Sequence, residues 1–249
     1  MDIFKNKEKR KTLIIVLIIV LVTALVAVTG YKVYRFFDAH DIAPLEQVTL
    51  DGLNIEKADK LMIVAHPDDE TIWGGGHLMD GGYLVVSVTG GRNEERKNEF
   101  INAVRLSGNV PLILDYPDKV NGFRDSWNAV YDQIHDDLTK IMALKNWRYV
   151  VTHNPHGEYA HAHHQMTSKL TTAVFNECGN VPRLYYFGKY YRAVDLPKHV
   201  DELTPISTEQ MLFKSALERC HASQEFVFDG LRHMMPYEEW TLYDPSAKK

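Results

Sequence analysis

Leu61-Met62-Ile63-Val64-Ala65-His66-Pro67-Asp68-Asp69-Glu70 is the stretch on which the reading of this chain turns. Its unbroken aliphatic start predicts a strand covered on both faces of a sheet. The strand then ends in an imidazole and three carboxylates, groups that resist burial unless they are partnered. A cation at the strand's carboxyl edge resolves that conflict. Far downstream, Tyr159-Ala160-His161-Ala162-His163-His164 offers nitrogen ligands. Together the two clusters point to a zinc hydrolase site.

Working outward, apolar runs predict further strands at 83–88, 111–114, 148–152 and 184–187. Helical spacing marks 93–106, 129–144, 165–177 and 208–228. Gly74-Gly75-Gly76 lacks both the spacing of a dinucleotide fingerprint and a P-loop lysine, so it reads as a loop at a helix start. Alternating strands and helices predict an α/β fold: a three-layer α/β/α sandwich with a mostly parallel, Rossmann-like sheet. Ligands of such sheets bind beyond the strands' carboxyl ends. His66, Asp68, Asp69, Asp115 and His153 all fall there. Trp73, Trp127 and Trp147 read as core or cleft wall.

The first part of the 249-residue chain is of another kind. From Leu13 to Val28 only Thr23 interrupts aliphatic and alanine residues, a length and composition suited to one N-terminal transmembrane helix. A cleaved signal peptide fits less well, because the apolar region is too long and no small-x-small site follows it. Lys5, Lys7, Lys9, Arg10 and Lys11 precede the span, whereas Lys32 and Arg35 follow it. That bias keeps the N-terminus in the cytoplasm and exports the rest. The expected divisions are a basic cytoplasmic segment (1–11), a signal-anchor helix (12–34), a tether (35–59) and a globular domain (60–249). A net charge of −5 argues against nucleic acid as a partner. Cys178 and Cys220 allow one disulfide or two free thiols, and no disulfide-built scaffold.

Hydrolytic zinc keeps three protein ligands and an open position. Fe2+ and Mn2+ tolerate the same imidazole and carboxylate donors. His66 and Asp69 are close enough across a turn to grip one ion. Asp68 and Asp69 point differently, so one binds metal while the other takes a proton from water. Of His161 and His164, one binds metal while the other polarises or protonates the leaving group. Glu70 is placed to orient a ligand from behind. Arg92, Asp118 and Arg124 fall on predicted loops at the same edge and are candidates for substrate binding.

These motifs resemble the LmbE-like/PIG-L family of zinc-dependent N-acetylglucosamine deacetylases over about residues 60–230. The resemblance rests on Ala65-His66-Pro67-Asp68-Asp69-Glu70 and His161-x-x-His164. Thr89-Gly90-Gly91-Arg92 with Arg96-x-x-Glu99-Phe100, and Lys214 with His221-Ala222-Ser223-Gln224, add to it. It implies that His66, Asp69 and His164 bind zinc, that Asp68 is the general base, and that His161 stabilises the oxyanion or acts as acid. Family members commonly carry aspartate just before the third ligand, where this chain has His163, a further candidate ligand. The implied activity is removal of an N-acetyl group from an N-acetylglucosamine-type sugar. With the anchor, that points to a bacterial cell-envelope polysaccharide, glycoconjugate or glycolipid. The alternatives are an anchored glycan-binding protein without turnover, and a cytoplasm-facing deacetylase of a lipid-linked sugar.

Overall fold

The computed structural model of the protein describes residues 7–246. The first six residues of the expected basic segment, Lys5 among them, lie outside the described residues, as do 247–249. In chain order the elements are α1 (Lys7–His40), α2 (Gln47–Asp51), β1 (Lys60–Val64), α3 (Asp69–Leu78), β2 (Tyr83–Thr89) and α4 (Glu94–Leu106). Then come β3 (Val110–Tyr116), β4 (Lys119–Val120), β5 (Phe123–Arg124), α5 (Tyr131–Ala143), β6 (Tyr149–Thr152) and α6 (Gly157–Ala160). The last are α7 (Ala162–Cys178), β7 (Leu184–Tyr186), α8 (Thr208–Glu218), α9 (Glu225–Leu231) and β8 (Thr241–Leu242).

Two compact units divide these elements, Met1–Asp41 with Lys119–Asp125, and Ile42–Asp118 with Ser126–Lys249. The first holds α1 and the β4–β5 hairpin. At about 1.5 Å per residue, α1 is longer than the roughly 30 Å hydrocarbon layer of a bilayer. Its most apolar window has a mean hydropathy of 3.1, and none of it is buried. By length and composition this helix can cross a membrane. It outruns the expected 12–34 boundaries because no proline interrupts the chain until Pro44. Within this unit His40 Nε2 lies 3.1 Å from Asp125 Oδ2, and the Asn121 amide donates to Lys32 O at 3.0 Å.

The second unit is a six-stranded sheet ordered β3-β2-β1-β6-β7-β8. All neighbours are parallel except β7 and β8. Central β1 is buried along its whole length, as its aliphatic run requires. Its side chains alternate between two cores. Leu61 and Ile63 pack with Ile134 and Leu138 of α5 and Leu170 and Val174 of α7, whereas Met62 and Val64 pack with Ile72, Phe100, Leu217 and Phe228. Helices therefore cover both faces, and the expected three-layer α/β/α arrangement is what the chain forms. The stretch read as a tether enters this unit too, for Leu50 and Ala58 are 2% and 3% exposed in the first core.

Two local readings need correction. Gly74, Gly75 and Gly76 are not a loop; they lie inside α3. A Cβ at Gly75 would stand 2.9 Å from Lys214 Cγ, and one at Gly76 would stand 3.0 Å from Glu238 Oε2. The glycines let α3 approach its neighbours closely, which outweighs their poor helix propensity. The helix expected over 208–228 is broken. It begins with a Ser207/Gln210 capping box, stops at Glu218, and resumes as α9 after a short turn over 222–224. The break turns His221 inward, 1% exposed, to meet Glu70. Cys178 and Cys220 are free and half-buried.

Candidate metal centre

His66 to Asp69 turn at the carboxyl end of β1 and start α3. The backbone of Asp68 has φ 117°, rare for a residue with a side chain, and such strain persists only where the surroundings enforce it. Glu70 is the enforcer: its Oε2 accepts the Asp68 amide at 3.0 Å, while Oε1 accepts Thr71 Oγ1 at 2.7 Å and faces His221 Nε2 at 2.8 Å. Asp68 occupies the N-cap position but makes no cap bond to α3. Its Oδ2 instead accepts Arg96 Nη2 at 3.1 Å, and the same Nη2 donates to Pro67 O at 2.7 Å.

The second segment follows β6. His153 is at the end of that strand, α6 contributes Glu158, and α7 begins just before His163 and His164. His66, Asp69 and His164 each turn a ligand atom inward, and these atoms lie within 4.8 Å of one another, all on buried residues. His66 Nδ1 is 3.1 Å from Asp69 Oδ2, and His164 Nε2 is 3.2 Å from Asp69 Oδ1.

Two observations say that this trio fits a divalent ion. Buried His164 Nε2 has no hydrogen-bond partner, although a carboxylate oxygen stands beside it. Its other nitrogen, Nδ1, donates to Glu158 Oε2 at 2.6 Å, which leaves the Nε2 lone pair facing the trio. Two imidazoles and a carboxylate also match the donor preference of zinc and of similar ions.

Electrostatics sharpen the division between the adjacent aspartates. Burial raises both, but His164 and His153 hold Asp69 well below the usual carboxylate range. Asp68 is pushed well above it, by burial first and by Asp69 second, against the pull of Arg96. Burial lowers His66 despite Asp69. Glu158, which burial alone would raise, is lowered by His153 and His164, whose Nδ1 atoms both meet its Oε2. His153 is drawn in two directions. Glu158 and Asp69 favour its protonation against burial. The Ala65 amide, however, donates to His153 Nε2 at 3.0 Å, which requires a lone pair there. A backbone N–H has no alternative role, so the neutral ring, with its proton on Nδ1 toward Glu158, fits the geometry.

Of the residues singled out by sequence, His66, Asp68, Asp69, Asp118, His161 and His164 come together here. The His161 ring lies 4.8 Å from that of His66 and 4.4 Å from that of His164. Asp118 Oδ1 is 3.6 Å from both His66 Nε2 and His163 Nδ1. His163 is at the site as well: its Nδ1 is 3.0 Å from His66 Nε2, and its ring stacks on Trp127 at 4.2 Å and 6°. His66, His161 and His163 make a second trio of potential ligands. Arg92 is exposed in the turn after β2, Arg124 belongs to β5 of the other unit, and Asp115 is exposed near the end of β3. Sequence reasoning gave no role to Glu158 or Arg96. Arg96 stood inside a quoted motif, and Glu158 stood just ahead of the histidine cluster.

The family model PIG-L, described as GlcNAc-PI de-N-acetylase, matches residues 61–175. The chain is 38% identical over 152 residues to an uncharacterized protein, L374, of Acanthamoeba polyphaga mimivirus, a match covering 54% of this chain and 63% of that one. It thus spans less than two thirds of this relative, which comes from a virus where a bacterial setting was expected. Its fold is similar to the crystal structure of the antimicrobial reagent A40926 pseudoaglycone deacetylase Dbv21. That likeness has a TM-score of 0.56 at 20% identity and covers 78% of this chain and 100% of the other. The strand-end cluster and the histidine cluster both fall within residues 61–175, the stretch that matches the PIG-L family model.

Proposed function

We propose that this protein is a metal-dependent hydrolase that removes an N-acetyl group from an N-acetylglucosamine-type sugar. One observation carries the reading: three buried ligand atoms converge beside a carboxylate, Asp68, that is spent neither on the trio nor on capping α3. His66, Asp69 and His164 would hold the ion, zinc by donor preference, with Fe2+ or Mn2+ as substitutes. When bound, such an ion supplies a Lewis acid that polarises an amide carbonyl and acidifies water.

The chain's own groups do the rest. Arg96 occupies Asp68 Oδ2, so Oδ1 takes the proton of the attacking water. His161, 9% exposed at the rim, donates toward the developing oxyanion and then to the departing amine. Asp118, 29% exposed and within reach of Arg96, faces the position of the sugar hydroxyls. Arg92, exposed in the turn after β2, is a further candidate for holding the substrate. The products are acetate and a free amine.

The test is acetate release from a panel of N-acetylated glycans and glycolipids, measured for the metal-loaded chain, the chelated chain and Asp68→Asn. Release that needs both the metal and Asp68 is expected. Binding without release in all three would leave a glycan-binding protein.

We further propose that α1 anchors the protein, with its N-terminus cytoplasmic and the globular unit outside the cytoplasm, because more basic residues precede the apolar run than follow it. Such a site would meet envelope polysaccharides, glycoconjugates or glycolipids. A periplasm-active reporter at the C-terminus should be active, and a cytoplasm-active one silent. The reverse pattern would favour a lipid-linked sugar handled on the cytoplasmic side.

A further inference from the structure

Beyond the carboxyl ends of β6 and β7 lies a cavity of ≈410 Å³, outside the ligand trio. Asn154, His156, Phe187, Lys189, Tyr190 and Tyr191 are among the residues that line it. Its wall combines aromatic rings with amide, imidazole and ammonium groups, a mixture suited to a pyranose, which has apolar C–H faces and a rim of hydroxyls.

An aromatic path joins this cavity to the metal centre. The Tyr159 ring, 36% exposed, lies 5.9 Å from His161 and 5.5 Å from His164 on one side. On the other it lies 5.7 Å from Tyr190. The backbone around it is unusual: Gly157, Glu158 and Ala160 have φ of 68°, 53° and 67°. Positive φ at two residues with side chains is strain, which structures retain where position matters. Glu158 connects the same turn to His164 Nδ1 and also lines the cavity.

The far rings are already held in place. Tyr191 stacks on His199 at 4.1 Å and 7°, and its hydroxyl donates to Glu202 at 2.7 Å. Tyr190 packs 5.8 Å from His233, whose Nε2 bonds Tyr191 O at 2.9 Å. Rings fixed before binding lose little entropy when a ligand arrives.

We propose that the Tyr190–Tyr191 cavity binds a second sugar ring, so that the substrate is an oligosaccharide or glycan chain whose reacting residue sits at the metal centre and whose neighbour stacks beyond Tyr159. This rests on the deacetylase reading, and it deepens that reading from a type of sugar to a chain of sugars.

The experiment uses the full chain in detergent with N-acetylglucosamine and tri-N-acetylchitotriose as probes. The kcat/KM for acetate release from the trisaccharide should exceed that from the monosaccharide by about tenfold, the scale of one aromatic stacking contact. Tyr190→Leu, which keeps bulk without a ring face, should bring that ratio close to one, and Tyr190→Trp should keep it. A ratio already near one in the native chain, or unchanged in Tyr190→Leu, overturns the proposal. Calorimetric Kd values for both sugars are measured alongside. If no acetate is released from either sugar, the wider panel of glycans and glycolipids decides the hydrolase reading. The binding ratio in native, Leu and Trp chains then decides the subsite by the same criterion.

Discussion

Glu158 Oε2 lies 2.6 Å from His164 Nδ1, and this contact determines what His164 offers to a metal. With its proton committed to Glu158, the ring presents a lone pair at Nε2 beside Asp69. Glu158→Gln keeps the shape but weakens that commitment. Such partners behind a ligand typically contribute about 10- to 100-fold in metal affinity. Zinc affinity, measured by chelator competition, should fall within that range in Glu158→Gln, with the fold retained by circular dichroism.

Arg96 and Asp68 form a unit, since one guanidinium nitrogen bridges the Asp68 carboxylate and the carbonyl before it. Arg96→Gln should lower kcat by about tenfold or more while leaving metal content unchanged. Residues that act as one unit are strongly non-additive. The Arg96→Gln/Asp68→Asn double variant should therefore be no slower than Asp68→Asn alone. Losses that multiply would separate the two.

Lys214 and Glu238 are both wholly buried, 2.6 Å apart. Lys214 also donates to Ile72 O and Met235 O, and Glu238 accepts the amides of Gly76 and His77 together with His77 Nδ1. Breaking such a pair by removing one partner costs about 3–5 kcal/mol. Lys214→Met should lose that much in denaturant unfolding. Burial alone would raise Glu238, but Lys214 and His77 hold it at about 2, below its ordinary 4.5. A depressed carboxylate contributes stability that is whole above its unfolded pKa and is lost as pH falls toward its folded one. In the native chain that loss runs from about pH 4.5 down to about 2. In Lys214→Met it should begin at higher pH, so the acid-unfolding midpoint should rise.

Gly75→Ala sets two effects against each other. Alanine is favoured over glycine by about 1 kcal/mol inside a helix. Its Cβ would stand 2.9 Å from Lys214 Cγ, a mid-chain atom held by the buried ammonium. Overpacking of this kind costs about 1–3 kcal/mol. The variant should be neutral to about 2 kcal/mol less stable in urea unfolding. A clear gain in stability would mean that α3 can move away from α8.

Much of the fold was legible because the informative patterns are local. A strand buried on both faces must be apolar at every position, so β1 and β2 stand out as unbroken runs. Ligand-bearing residues sit just after such runs, so His66, Asp69 and His153 could be found at strand ends. The Gly74-Gly75-Gly76 helix was not legible, because propensity argues against it and only the proximity of Lys214 and Glu238 explains it. The break before α9 was hidden for a similar reason: the pull of Glu70 on His221 spans 151 positions of sequence.

By itself, the sequence determined that this is an α/β chain with an apolar N-terminal helix, and that two polar clusters end buried strands or start helices. Period and run length carry that information, and both are properties of neighbouring residues. Tertiary structure alone decided that Glu158 orients His164, that Arg96 holds Asp68, that His163 leans on Trp127, and that Tyr159 links the ligand trio to a second cavity. These relations are distances between groups brought together by packing. A side chain's partner depends on where the sheet and its covering helices place it, and no spacing along the chain encodes that.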